Sequence, residues 1–259
     1  MARRHRRRKL SISTAGAVAG LVVLAVVTGT LATFALTQRP AASTTVSGGT
    51  SGGFVATSTP EPALLELPSP ANVLMLGDSY MLGTGADDRR STAWAPQVAA
   101  ALGWNATIDG LGGTGFTVGR PDTGSGRFIE RIQARAGEAY DLVFIEGGQN
   151  DHLASKEELH VAVNEVIVTA QAQWPEAKII VMGPTAPEPL GSMLGRISEP
   201  ITAEAQALGV LAINPIQSKW MTVENSPGFD LDGAHVNQAG HDYITQKVME
   251  QIATWSTAS

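Results

Sequence analysis

Three short apolar runs, each closed by glycine, constrain this chain more than any other feature: 72–76 before Gly77, 141–145 before Gly147, and 178–182 before Gly183-Pro184. Each has the length and composition of a buried strand followed by a loop. Helical patterns fill the intervals: 92–102 with Ser91 as a candidate cap, 155–173 with Ser155 and Glu158 forming a capping box, and 193–208. A last helix is expected over 238–255. Two weaker runs, 105–108 and 210–213, bring the count to five strands. Strands alternating with helices predict a three-layer α/β/α fold around a five-stranded parallel sheet. In such sheets the loops after the carboxyl ends of the strands collect the functional residues.

Charge divides the chain unevenly. Before residue 70 all seven Lys and Arg side chains lie between Arg3 and Arg39, six of them in the run Arg3, Arg4, Arg6, Arg7, Arg8 and Lys9. From residue 71 onward there are 11 basic and 22 acidic side chains, a net charge of −11. A domain this acidic repels nucleic acid and anionic headgroups, so no nucleic-acid partner is expected. Residues 12–36 carry no charge and are long enough to span a bilayer as a helix. With the basic run at 1–11 on their amino side, they are expected to form a signal-anchor whose N-terminus is cytoplasmic. A cleaved signal peptide and a secreted product is the alternative. Residues 37–70, rich in Ser, Thr, Gly, Ala and Pro, are expected to be a flexible spacer, leaving 71–259 as one domain. The chain has no cysteine, which excludes disulfides, thiolate metal sites and a cysteine nucleophile.

Four polar blocks fall in the expected loops: Gly77-Asp78-Ser79-Tyr80, Gly112-Gly113-Thr114-Gly115, Gly148-Gln149-Asn150-Asp151 and Asp232-Gly233-Ala234-His235. In this order they resemble the SGNH, or GDSL-like, hydrolase family over about residues 71–256. The resemblance implies a flavodoxin-like sheet and an ester hydrolase that needs no cofactor and no metal. It casts Ser79 as nucleophile, His235 as its base and Asp232 as the carboxylate that orients the imidazole. It also implies an oxyanion hole made of the Ser79 N–H, a glycine N–H and the Asn150 side chain. The glycine block aligns so as to point to Gly115, with Gly113 as the fallback. Tyr80 and Val236 stand where the family often carries leucine and proline.

Each feature also has a plainer reading. Gly-Asp-Ser alone is an ordinary turn. His241 competes with His235 for the base but has no Asp three positions before it, and reads as a surface residue of the last helix. Asp78, Asp151 and His152 do not make a metal site at ligand spacing. Asp78 is expected to brace the Ser79 loop and Glu146 to be structural. Asp87, Asp88, Arg89 and Arg90 read as a solvated, mutually neutralising loop, and Trp94, Trp104, Trp174 and Trp220 as core. The expected substrate is a small-molecule or glycan ester, with a carbohydrate O-acetyl esterase as one alternative and an inactive binding domain as another. A monomer anchored to the membrane through its N-terminal helix, its catalytic domain outside the cytoplasm, is the expected state.

Overall fold

A computed structural model describes residues 65–256. The expected basic N-terminus at 1–11 and the anchor at 12–36 lie outside the described residues, as does most of the spacer. Among the described residues no helix is long and apolar enough to cross a membrane. Leu65, inside the expected spacer, is buried, and its N–H donates to the Trp255 carbonyl at 3.1 Å.

Five parallel strands form one sheet: β1 (Asn72–Gly77), β2 (Asn105–Gly110), β3 (Leu142–Glu146), β4 (Lys178–Met182) and β5 (Leu211–Ile213), in the order β2-β1-β3-β4-β5. The register sets Gly77 opposite both Gly110 and Glu146. The apolar runs are continuous because the sheet is covered on both faces. Val73 and Met75 of β1 point into one core, with Trp94 and Val98 of α1 (Trp94–Leu102) and Ile244 and Val248 of α7 (Gln238–Ser256). Leu74 and Leu76 point into the other, with Phe128 of α2 (Phe128–Gln133), Val163 of α3 (Lys156–Gln173) and Ile201 of α5 (Gly195–Ala207). Each such side chain, taken wholly out of water, contributes about 1.5–3 kcal/mol before chain entropy is set against it.

The sequence expectations hold for all five strands, and Ser155 caps α3 with both bonds of its box to Glu158. Four details differ. The first helix begins at Trp94 with Ala93 at its cap, because Ser91 donates instead to Asp88 Oδ2 at 2.6 Å and closes a local turn. Asp88 also accepts from the Arg90 N–H, so the 87–90 segment is ordered by turn bonds rather than by charge pairing. The third expected helix is split into α4 (Leu190–Met193) and α5, which tolerates Pro200 in its interior. His241 is not a surface residue: it is fully buried, with Nε2 3.0 Å from the Thr84 carbonyl, and burial lowers its pKa. Trp94, Trp174 and Trp220 are core, while Trp104 is half-buried against it.

The chain passes from β1 outward to β2, then returns to place β3 on the other side of β1. The loops leaving β1 and β3 therefore diverge, and a crevice opens between them at the carboxyl edge. Ser79 leaves β1 there and Asn150 leaves β3.

Candidate active site

Ser79 sits two residues past β1 in a tight loop, with 8% of its surface exposed. The loop is wound by backbone bonds from Leu82 to the Asp78 carbonyl (3.0 Å) and from Thr84 to the Ser79 carbonyl (2.9 Å). Asp78 Oδ1 accepts the Tyr80 N–H at 2.9 Å, the bracing role expected of it.

On the far side of the crevice, 230–236 folds back on itself. Asp230 bridges Val236, the Leu231 N–H donates to the His235 carbonyl at 3.0 Å, and Gly233 takes a φ of 84° that a side chain would resist. Asp232 Oδ1 accepts the N–H groups of Ala234 (3.0 Å) and His235 (2.7 Å). This turn delivers the imidazole: His235 Nδ1 lies 2.9 Å from Asp232 Oδ2, and His235 Nε2 lies 3.0 Å from Ser79 Oγ. The hydrogen bond to His235 is the main influence holding the Asp232 carboxyl below its ordinary pKa, so it is ionised where the imidazole works. Ser79, His235 and Asp232 are thus joined in one chain.

Sequence reasoning missed two residues that hold this turn. Tyr80 is buried; its hydroxyl donates to the Ala234 carbonyl at 2.8 Å, and its ring lies 5.9 Å from the imidazole, centre to centre. Gln149 donates to the same carbonyl at 2.9 Å. The presence of tyrosine where leucine is common was the available signal for the first, and Gln149 gave none.

Asn150 lies in a short 3-10 turn, 149–151, which follows two glycines with positive φ, Gly147 and Gly148. Its amide donates to the Thr114 carbonyl at 2.9 Å and, at a longer 3.4 Å, to Asp78 Oδ2. The glycine block is arranged differently from the expectation. The N–H of Gly115 is spent on the Val118 carbonyl at 2.9 Å, and a Cβ there would lie 2.7 Å from Asp151 Cγ. Packing against Asp151 explains why residue 115 is glycine. Gly112 faces the nucleophile, since a Cβ on it would stand 3.7 Å from Ser79 Cβ. Gly113, at φ 75°, has an N–H with no hydrogen-bond partner among the described residues.

Beneath the loops lies a layer of buried ionisable groups. Asp151 accepts from the Phe116 N–H (3.1 Å), the Thr117 N–H (2.7 Å) and the Thr117 hydroxyl (2.6 Å), while burial raises its pKa. Burial pushes Asp78 up to about 7 and Glu146 well above the carboxylate range. Arg131 donates to the Gly77 carbonyl at 2.9 Å and pairs with Asp109 at 2.7 Å. Among the described residues no cluster of three or more metal-ligating side chains is present.

An open parallel sheet that presents a hydrogen-bonded serine, histidine and aspartate at its carboxyl edge is the arrangement of an SGNH hydrolase. The chain belongs to the GDSL-like lipase/acylhydrolase family, whose sequence profile matches residues 75–243. It is 32% identical to the GDSL lipase Rv0518 of Mycobacterium tuberculosis over 191 residues, 70% of this chain and 81% of that protein. Solved structures share the fold at low identity, two of them esterases from bacteria. One is an inhibitor-bound aryl esterase of M. smegmatis (17% identity, TM-score 0.57, covering 71% of this chain and 99% of that one). The other is Est24, a carbohydrate acetylesterase from Sinorhizobium meliloti (19%, TM-score 0.56, 71% and 99%).

Proposed function

We propose that this hydrolase cleaves carboxylic esters through an acyl-enzyme on Ser79, outside the cytoplasm. The observation that carries the reading is the unbroken chain Asp232 Oδ2, His235, Ser79 Oγ, with links of 2.9 and 3.0 Å. Ser79 Oγ attacks the ester carbonyl as His235 Nε2 takes its proton. The negative oxygen that forms needs donors. The Ser79 N–H, the partner-free Gly113 N–H and the Asn150 amide supply them, with Gly113 replacing Gly115 in that role. Asn150 keeps its bond to Thr114 and exchanges the long contact with Asp78 for the oxyanion. Collapse of the intermediate sends the His235 proton to the departing alcohol. Water, activated by the same imidazole, then releases the acid.

Support for the location comes from the uncharged segment 12–36 behind its basic run, which would leave the acidic domain on a tether outside the membrane. A second reading, a carbohydrate O-acetyl esterase, draws support from the openness of the site. The Asp232 side chain is 48% exposed, leaving room for a bulky alcohol. Est24, which shares the fold, is a carbohydrate acetylesterase.

Labelling of the full-length protein with a fluorophosphonate probe, native against Ser79→Ala, is the test. Labelling confined to the native protein is expected. Equal labelling of the variant overturns the assignment of Ser79, and an unlabelled but folded native protein supports a binding domain that keeps the fold without the chemistry.

A further inference from the structure

A cleft of about 540 Å³ opens beside the catalytic turn, between the segment that follows β4 (Glu188 to Ser192) and the segment that follows β5 (Val223 to Asp230). Its size falls in the range of about 300–1,000 Å³ usual for small-molecule sites. One wall belongs to the catalytic turn itself: Asp230 Oδ1 accepts the Gly233 N–H at 2.7 Å, and Asp230 bridges Val236 next to His235.

Glu188, Ser192 and Ser226 of this cleft are occupied with one another. Glu188 Oε1 takes the Ser192 hydroxyl at 2.8 Å and Oε2 takes the Ser192 N–H at 3.1 Å. The Ser226 hydroxyl oxygen accepts the Glu188 N–H at 2.8 Å. What remains to meet a ligand is the apolar surface of Pro189, Val223 and Pro227, with Asp230 on the side of the catalytic turn. Val223, which lines the cleft, is 74% exposed, and Met193, next in sequence to Ser192, is 67% exposed. A large apolar side chain left in water on an apolar cleft that shares a wall with the catalytic turn points to an apolar ligand. The two carboxylates exclude an anionic occupant.

We infer that this cleft is a substrate subsite that takes an uncharged alkyl group of the ester. The assignment rests on the reading of Ser79 as nucleophile. The alkyl group is that of the acyl or of the alcohol side, and the two ester series below distinguish them.

The test uses the full-length protein with two ester series: p-nitrophenyl acetate, butyrate and octanoate, and the acetates of methanol, butanol and octanol. A buried methylene raises kcat/KM by up to about fourfold. A rise along the first series assigns the acyl chain and a rise along the second the alcohol. Val223→Asp is then expected to reduce the octyl-to-methyl or octanoate-to-acetate ratio about tenfold. Val168→Asp, on the outer face of α3, leaves it unchanged. Leu153→Asp probes a different apolar cleft, past Asn150. Flat rates along both series, or a ratio that falls for Leu153→Asp and not for Val223→Asp, overturn the inference. Calorimetric titration of Ser79→Ala with the p-nitrophenyl esters and the alkyl acetates reads the same preference without turnover. A protein that binds the longer esters through Val223 but cleaves none refutes the catalytic reading and keeps the subsite. One that cleaves acetates without regard to chain length does the reverse.

Discussion

Replacing Asp232 by asparagine isolates what its charge does, because the shape of the turn should survive. Oδ1 accepts two backbone N–H groups, from Ala234 and His235, at 3.0 and 2.7 Å, while Oδ2 faces His235 Nδ1 at 2.9 Å. An asparagine that keeps both backbone bonds must place its carbonyl at Oδ1 and its NH2 at Oδ2. The amide then donates to Nδ1, which forces the imidazole proton onto Nε2, facing Ser79 Oγ, where a base is required. Flipping the amide restores the base but gives up the two backbone bonds, at about 1 kcal/mol each. The imidazolium also loses its carboxylate. That loss is worth about 1–2 kcal/mol here, less than for a buried pair, because the Asp232 side chain is 48% exposed. Together about 3–4 kcal/mol is lost, or roughly 10²- to 10³-fold in kcat, against about 10⁴-fold for a buried triad aspartate. The assay is steady-state hydrolysis of p-nitrophenyl acetate at saturating substrate, with circular dichroism to confirm folding. An Asp232→Asn protein that keeps more than about a third of the native kcat would refute the tautomer argument.

Three further outcomes are expected. Asn150→Ala should lower kcat by about 10²- to 10³-fold with little change in KM, since its amide meets charge only in the transition state; a change confined to KM would reassign it to substrate binding. Asp78, raised to about 7 in the folded state, binds an extra proton there at mildly acidic pH, so it makes the fold less stable as pH rises from about 4 to about 7, by up to about 1.4 kcal/mol per pH unit. Asp78→Asn should flatten that slope in urea midpoints across the window, and parallel profiles for variant and native would count against it. Ser155→Ala removes the hydroxyl that accepts the Glu158 N–H, while the Ser155 N–H keeps its bond to the Glu158 carboxylate; it should cost about 1 kcal/mol, read as a melting-temperature drop of about 2–4 °C with esterase activity retained.

The architecture was legible because strand burial is written directly into sequence. A run such as 142–146, with no polar residue before Glu146, has little choice but to lie between two layers of helices. The capping box of α3 is equally local, and it formed as read. Ser91 failed as a cap because its hydroxyl had a nearer partner in Asp88, a competition that propensity does not register. The short helices α2 and α6 (Ser226–Phe229) carry too few residues for a period to show. At the site, the order of the four blocks was enough to bring Ser79, Asp232 and His235 to one place. Gly113 and Gly115 could not be separated by spacing. The difference lies in the Gly115 N–H being taken by the Val118 carbonyl and in Asp151, which arrives from another strand, packing against Gly115.

What holds the loops is the part least visible in sequence. The segments after β1, β2 and β3 lack ladders, so their backbone groups need other partners once buried. Side chains provide them: Asp151 takes three donors from 116–117, Asp78 takes the Tyr80 N–H, and Arg131 crosses to the Gly77 carbonyl. Burial costs these acids desolvation, which raises the pKa of Asp78 and Asp151, and of Glu146 beside them. A polar brace of this kind can tie irregular backbone at a fixed spacing where apolar packing cannot, because a hydrogen bond has a direction and a methyl contact does not. The loops that carry Ser79 and Asn150 are therefore tied in place by groups whose burial weakens the fold at neutral pH. Replacing one of these acids with its amide should recover stability before it disturbs the sheet, while activity falls with the geometry of the loops.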